Sequence, residues 1–370
     1  MPSRITPVRD EVRQIAPYNS GLTISEVRQR FSPERIAKLG SNESPLGPSA
    51  SVRDVLNGFF DNVKLYPDPQ GRELAAALAI SAGISADRII LGNGSEDLLS
   101  VICRTILRPG DSMVTLYPSF PLHEDYATIM GAHVERVNVL PDLTIDVDAL
   151  VAALKTKPRM AMFANPMNPV GSWLDPSEMA RVIDACSPET VLVIDEAYAE
   201  YAAGEDYPSA AELLEGSGKS WITLRTFSKA FGLAGLRIGY GITSDPELRA
   251  FLDRVRTPFN TNGPAQAAAL AALSDEPHLK EVIALAISER HRMRGTLEQR
   301  GYFVAPSKGN FLFFNSRQDA SALSESLLHH GVIVKPWKQA GYDTYIRVSI
   351  GSVEDNNQFL DALDAVTTPA

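Results

Sequence analysis

The chain has 370 residues, 44% of them hydrophobic and 22% charged, with a formal net charge of −10. A chain of that length buries a substantial core and divides naturally into one large and one smaller domain. The acidic balance argues against general binding to nucleic acid or to anionic membranes, while leaving room for a local basic pocket that takes a small anion.

The start, Met1-Pro2-Ser3-Arg4-Ile5-Thr6-Pro7, lacks the apolar core of a signal peptide, and no run is long enough to span a bilayer. The expected location is the cytoplasm. Cys103 and Cys186 each lie in an apolar, helix-like run, which fits two buried reduced thiols better than a disulfide or a zinc site. The six histidines show no ligand spacing with cysteine or glutamate, so no metal is expected.

Residues 1–40, rich in proline and polar side chains, read as an N-terminal arm with one short helix near Thr23–Arg30. Ser41-Asn42-Glu43-Ser44-Pro45-Leu46-Gly47-Pro48 is a loop by its turn residues. Beyond it helix-like and strand-like segments alternate. Gly71–Ser81 is helical, Arg88–Leu91 a strand, and Glu96–Leu107 a helix that stops at Pro109-Gly110. Ser112–Leu116, Val134–Val139, Met160–Phe163, Val191–Ile194 and Trp221–Leu224 read as short strands separated by helices. They are apolar on both sides, as in a sheet covered by helices on both faces. The pattern is α/β with a mainly parallel sheet. One long helical region from Ala265 to about Arg300 follows, then strands at Phe311–Asn315, Val332–Val334 and Tyr345–Ser349 that suit a smaller α+β domain. The expected division is an arm at 1–40, a large domain at 41–264 and a small domain at 265–370.

Four segments carry chemistry. Leu91-Gly92-Asn93-Gly94-Ser95-Glu96 follows a strand and opens a helix. Glycines there let the backbone approach a ligand, and the free N–H groups at the helix start attract a phosphate. A plain glycine turn is the alternative. Asn165-Pro166-Met167-Asn168-Pro169-Val170-Gly171 makes a rigid turn at the carboxyl end of a strand, where α/β proteins place ligands. Either asparagine reads equally as a turn former. Asp195-Glu196-Ala197-Tyr198 also ends a buried strand, and its aspartate either reaches a pocket or caps the next helix.

The fourth segment runs from Thr226 through Phe227-Ser228-Lys229-Ala230-Phe231-Gly232 to Arg237. Its one lysine sits among hydroxyls, glycines and apolar residues, and burial eases loss of the ammonium proton. Lys229 is thus suited to condense with an aldehyde, and the hydroxyls with Arg237 suit a phosphate beside it. Together they point to a phosphorylated aldehyde such as pyridoxal 5'-phosphate (PLP).

With Gly-Ser-Glu, Asn-Pro-x-Asn-Pro-x-Gly, Asp-x-x-Tyr and Ser-Lys-x-x-Gly…Arg in this order, the chain resembles the fold-type I (class I/II) PLP-dependent aminotransferases. It is most similar to their histidinol-phosphate aminotransferase branch, from Ile15-Ala16-Pro17-Tyr18 to Arg347-Val348-Ser349-Ile350-Gly351. The resemblance implies an aspartate aminotransferase-like fold. A large PLP-binding domain carries a mainly parallel mixed sheet flanked by helices, a smaller α+β domain follows, and the arm packs with the small domain and a partner subunit.

The same resemblance implies roles. Lys229 bonds to the cofactor's aldehyde carbon and later shuttles the proton at the donor's α-carbon. Asp195 pairs with the ring nitrogen, while Asn168 and Tyr198 bond to the phenolic oxygen. The Gly94-Ser95-Glu96 backbone, the Ser95 side chain, Thr226 or Ser228, and Arg237 hold the phosphate. Phe120 stacks on the ring, and His123 supports Asp195; a core phenylalanine and an ordinary helix histidine are the plainer readings. Tyr66, in Lys64-Leu65-Tyr66-Pro67-Asp68, reaches the phosphate in the neighbouring subunit, which makes a homodimer with shared sites. Arg347 clamps the substrate's carboxylate, and Tyr18 and Asn42 line the substrate side.

One position departs. In Val332-Ile333-Val334-Lys335-Pro336-Trp337, Lys335 stands where the branch usually carries an arginine for the substrate's phosphate. Lysine keeps the charge without the bidentate fork. Trp337 suits an aromatic or imidazole side chain, or a domain seam. The implied reaction is ping-pong amino transfer in histidine biosynthesis: histidinol phosphate and 2-oxoglutarate give imidazole-acetol phosphate and glutamate. An aromatic amino acid aminotransferase and a threonine-phosphate decarboxylase-like enzyme share the motifs. A PLP-binding DNA regulator would need an appended DNA-binding domain, which a short arm and acidic balance do not supply.

Overall fold

A computed structural model describes residues 7–203 and 207–367. The first six residues of the expected arm and the last three of the expected small domain lie outside the described residues. Thirteen strands occur among those described: β1 (Ala37–Lys38), β2 (Ile89–Gly92), β3 (Ser112–Tyr117), β4 (His133–Asn138), β5 (Met160–Ala164), β6 (Val191–Asp195), β7 (Ser220–Thr226), β8 (Gly239–Thr243), β9 (Phe303–Val304), β10 (Phe311–Asn315), β11 (Val332–Ile333), β12 (Lys335–Pro336) and β13 (Tyr345–Ser349). The large sheet has the order β2-β8-β7-β6-β5-β3-β4. Its pairs are parallel except those that β8 makes with β2 and β7.

The doubly apolar strands divide their side chains between two cores, because successive residues of a strand face opposite ways. In β6, Leu192 and Ile194 join one cluster. Val191 and Val193 join the other. The first cluster is covered by helices that include Arg72–Ala82, Val147–Leu154 and Pro176–Ala185, the second by Ser95–Ile106 and Pro246–Val255. This is the expected α/β architecture with helices on both faces. Strand β8 carries no such signal, since Gly239 and Gly241 stand where the other strands have apolar side chains. The structure gives the reason: a Cβ on Gly239 would overlap the backbone nitrogen of Ser95, so the helix start closes onto that strand only over glycine.

The helical region expected from Ala265 to about Arg300 consists of two helices, Gly263–Leu273 and Glu276–Gln299. Asp275 breaks the run by capping the second, its carboxylate accepting from His278 N. The first is alanine-rich, and it buries Ala265, Ala268, Ala269 and Ala272 in the large domain's core, against the helices Ala50–Gly58 and Arg72–Ala82.

The small antiparallel sheet has the order β12-β13-β10-β9. Lys335, Arg347 and Phe313 are direct cross-strand partners, so all three share one face of this sheet. Phe313 belongs to the large domain's hydrophobic cluster, which identifies that face as the one turned toward the large domain. The arm joins this unit through β1, which pairs in parallel with β11. Its helix Ile24–Phe31, opened by a Thr23–Glu26 capping box, packs Val27 on Leu328 and Ile333.

Candidate active site

A cavity of about 740 Å³ opens where β5, β6 and β7 end, beneath β12, β13 and the arm. The carboxyl ends of a parallel sheet are where such folds bind ligands. Lys229, Asp195, Tyr198, Asn168, Ser95, Glu96, Phe120, Thr226, Ser228, Arg237, Arg347, Tyr18, Asn42 and Lys335 all line it. Residues spread over three hundred positions in sequence thus converge on one pocket.

Lys229 follows β7 and donates from Nζ to the carbonyl of Ser41 at 2.9 Å. Burial, reinforced by the nearby Arg347 and Arg237 cations, pulls its ammonium down to about 7. A lysine there holds a neutral amine over much of the physiological range, which is what a nucleophile needs. Its Nζ also stands 6.0 Å from the centre of the Tyr198 ring.

Asp195 is the last residue of β6, so its carboxylate leaves the strand straight into the cavity. One oxygen meets His123 Nε2 at 3.1 Å, and the other accepts from Ala197 N at 3.1 Å. His123 is wholly buried on the helix Pro121–Ile129, and its Nδ1 has no partner among the described residues. Phe120, immediately before that helix, lies edge-on to both His123 and Tyr18.

The phenol of Tyr198 accepts from Asn42 Nδ2 at 3.0 Å and from Asn168 Nδ2 at 3.2 Å. Burial pushes this phenol up to about 12, so it stays protonated and retains its own hydrogen to donate. Asn168 also accepts from Arg347 Nη1 at 2.7 Å, and Arg347 Nη2 donates to the Gly40 carbonyl at 2.7 Å. Arg347 Nε is buried without a partner among the described residues. Desolvation lowers the guanidinium's affinity for its proton, though an arginine remains charged regardless. Such a cation, stripped of water and incompletely paired, favours an incoming anion.

The helix Ser95–Ile106 starts beside Arg237. Gly94, which caps it, has φ +82° and ψ 162°, a region open essentially to glycine alone, and a Cβ there would overlap Arg237 Nη2. Arg237 itself is left-handed, with φ 58°, and meets Glu96 at 3.7 Å. Ser228 N donates to Thr226 Oγ1 at 3.1 Å, holding the two hydroxyl residues together at the end of β7. Free helix N–H groups, hydroxyls and one cation make a site for a phosphate.

Lys335 reaches the arm, donating to the Asn19 carbonyl, with Nζ 5.9 Å from the centre of the Tyr18 ring. Burial and the Arg347 cation bring its ammonium down to about 8. Tyr66 lies elsewhere: it is 84% exposed, stacked on Phe259, and does not line this chain's cavity. The Ser41 carbonyl, the Phe311 ring set edge-on against Tyr198, and Gln339 also belong to the site and are not among the residues expected from the motifs. A backbone acceptor leaves no side-chain signature, whereas the hydroxyl of Ser349, which holds Asn42 at both N and Oδ1, sits in the quoted Arg347-Val348-Ser349 run.

The donor set fits a planar aldehyde-bearing ring with a phosphate arm. It offers a near-neutral amine, a buried carboxylate, a tyrosine–asparagine pair and a helix-start anion site. The family model for aminotransferase class I and II matches residues 34–363. The chain belongs to the class I and II aminotransferases. Within them this aminotransferase falls in the histidinol-phosphate aminotransferase family. It is 64% identical over 356 residues to histidinol-phosphate aminotransferase 1 of Mesorhizobium japonicum, covering 96% of this chain and 97% of that one. It is 59% identical over 366 residues to histidinol-phosphate aminotransferase 3 of Rhizobium meliloti, covering 99% and 98%. Among solved structures, the aminotransferase superposes with a TM-score of 0.88 on a histidinol-phosphate aminotransferase from Sinorhizobium meliloti in complex with pyridoxal-5'-phosphate. That match is 31% identical and covers 98% of this chain and 97% of the other. The aspartate aminotransferase of Thermus thermophilus, 20% identical with a TM-score of 0.84 over 98% and 100% of the chains, shares the fold.

Proposed function

We propose that this enzyme carries PLP and transfers an amino group between histidinol phosphate and 2-oxoglutarate, in histidine biosynthesis. The observation that carries the chemistry is Lys229: a near-neutral amine among a carboxylate, a phenol and an anion site. The names of its full-length relatives support the substrate.

In this reading Lys229 holds the cofactor and Asp195 faces its ring nitrogen, with His123 fixing the carboxylate. Asn168 and Tyr198 meet its phenolic oxygen, while Ser95, Ser228 and Arg237 take the phosphate. Phe120 covers the ring. When bound, PLP supplies an electron-withdrawing ring that stabilises negative charge at the donor's α-carbon. Lys229 Nζ would accept the proton at the donor's α-carbon and, in the reverse direction, would return a proton to that carbon. Its depressed proton affinity suits both directions of that transfer. Arg347, whose Nε has no partner among the described residues, receives the carboxylate of glutamate and of 2-oxoglutarate. Lys335 supplies charge for the phosphate of histidinol phosphate, and Tyr18 and Asn42 close the substrate side.

The reading includes a homodimer. Phe60, Val63, Leu65 and Tyr66 are 83%, 64%, 63% and 84% exposed on one short segment, an apolar surface that a second copy would cover. Tyr66 would then serve the neighbouring site. The arm at 1–40, a large domain from 41 and a small C-terminal domain remain the working division, and the cytoplasm is the proposed location, in keeping with two buried free cysteines.

The test is formation of glutamate from 2-oxoglutarate with purified enzyme, PLP and histidinol phosphate. Dependence on both substrates is expected. Carbon dioxide release from threonine phosphate without amino transfer would favour the decarboxylase reading instead.

A further inference from the structure

We propose that Gln339 is a positioning residue that latches the small domain over the active-site cavity through one shared acceptor oxygen. Its Oε1 accepts from the backbone N–H of Ser119 and from Trp337 Nε1, each at 2.9 Å. Ser119 belongs to the large domain, in the turn after β3, whereas Trp337 follows β12 in the small domain. One amide oxygen therefore ties together two elements that share no strand pairing.

A second pair of contacts lies beside the first. Tyr117 Oη donates to the Ala340 carbonyl at 2.9 Å, and the Tyr117 ring meets Tyr342 edge-on at 5.9 Å. The large-domain side of this seam is itself braced. Arg136 stacks over the Tyr117 ring at 4.7 Å and is bonded to Glu124, which also accepts from Ser119 Oγ at 3.1 Å. Ser119 and Tyr117 thus form a fixed platform, and the 337–342 segment is the part that closes onto it.

What the latch positions is the substrate side of the cavity. Lys335 and Trp337 lie two residues apart on the segment that Gln339 holds, and both line the cavity. Trp337 is 5.9 Å from the Arg347 guanidinium, and the Phe311 ring is at 5.7 Å. Arg347 thus has an aromatic ring at this distance from each of two segments, and fixing the indole N–H fixes one of those neighbours. Loss of the shared acceptor frees Trp337, loosens Lys335 and lets the mouth gape, while leaving Lys229, Asp195 and Arg237 untouched. The consequence belongs to substrate capture rather than to cofactor binding, and it rests on the assignment of this cavity to amino transfer.

The experiment is a kinetic comparison of the PLP-loaded enzyme with Gln339→Ala, Gln339→Glu and Tyr117→Phe, reading KM, kcat and PLP affinity separately. The Ser119 bond crosses the seam and the Trp337 bond orders the segment that makes it; two neutral hydrogen bonds lost together are worth about a tenfold change in occupancy of the closed arrangement. Gln339→Ala is expected to raise KM for both amino donor and keto acceptor about tenfold, with a smaller fall in kcat and unchanged PLP affinity. Gln339→Glu, whose carboxylate accepts the same two N–H groups, brings KM back part of the way, the remainder being repulsion of the anionic substrates that added salt relieves. Tyr117→Phe, which removes only the bond to Ala340, raises KM about threefold. An unchanged KM in both Gln339→Ala and Tyr117→Phe overturns the latch, as does a loss of PLP affinity matching the loss of activity. Should Gln339→Ala fail to fold, the Tyr117→Phe result decides alone. If the wild-type enzyme ignores histidinol phosphate, the functional reading fails first, and the same comparison is run with whichever donor the wild type accepts.

Discussion

Arg347 and Asn168 are joined by a 2.7 Å hydrogen bond across 179 positions of sequence. The asparagine uses its oxygen on Arg347 and its nitrogen on Tyr198, so the sides of the pocket proposed to take the carboxylate and the ring share one amide. An incoming carboxylate competes for Arg347 with Asn168 and the Gly40 carbonyl, and lysine offers no planar fork for that exchange. Arg347→Lys is expected to lower kcat/KM for glutamate by about 100-fold, mostly through weaker capture, measured as the rate of its half-reaction against concentration. Unchanged glutamate kinetics would show that another residue holds the carboxylate.

Removing the amine removes the chemistry. Lys229→Ala is expected to abolish the visible absorbance of covalently held PLP and to cut transamination by at least about 10⁴-fold, while the phosphate site remains. Spectra and single-turnover assays check this. Full turnover by the variant would refute the role given to Lys229.

The depressed ammonium of Lys229 sets a pH dependence. Only the neutral amine attacks an aldehyde, so the rate at which cofactor-free enzyme takes up PLP rises with pH and levels off once the lysine is deprotonated. With the group near 7, that plateau is expected above about pH 8. An ordinary lysine would still be gaining reactivity at pH 10. Rapid-mixing absorbance between pH 6 and 10 distinguishes the two.

Lys335 carries its charge below about 8 and loses it above. KM for histidinol phosphate is therefore expected to climb as pH rises from 7.5 to 9. In Lys335→Arg, whose cation persists, the climb flattens. A wild-type KM that stays level over that range would remove Lys335 from phosphate binding.

Gly94 combines a glycine-only backbone conformation with a Cβ position that Arg237 already fills. Gly94→Ala is expected to weaken PLP binding at least about tenfold, since strain of about 1–3 kcal/mol falls on the phosphate site. Equilibrium dialysis of the cofactor-free protein measures this directly.

The parallel core was legible because each buried strand is apolar on both faces, so β3, β5, β6 and β7 stand out from the sequence. Strand β8 was not, since Gly239 and Gly241 answer to close packing rather than to strand propensity. That Lys229, Asp195, Asn168, Tyr198 and Arg237 are candidates for one site was legible because they sit in short motifs at element ends, and all five line the same cavity. The break at Asp275 has a local signature, Ser274-Asp275-Glu276-Pro277 with its capping acid and first-turn proline, but the alanine- and leucine-rich stretches on either side outweigh those four residues. The Ser41 carbonyl and Gln339 were hidden for another reason: their roles depend on which distant elements meet, and no local pattern encodes that.

The most direct test is a single-turnover comparison of amino donors, with histidinol phosphate, histidine, phenylalanine, tyrosine and glutamate each mixed with the PLP-loaded enzyme and followed by loss of cofactor absorbance. Histidinol phosphate and glutamate are expected to discharge the absorbance fastest, and 2-oxoglutarate to restore it. Phenylalanine and tyrosine outpacing an inert histidinol phosphate would contradict the assignment and make the enzyme an aromatic aminotransferase.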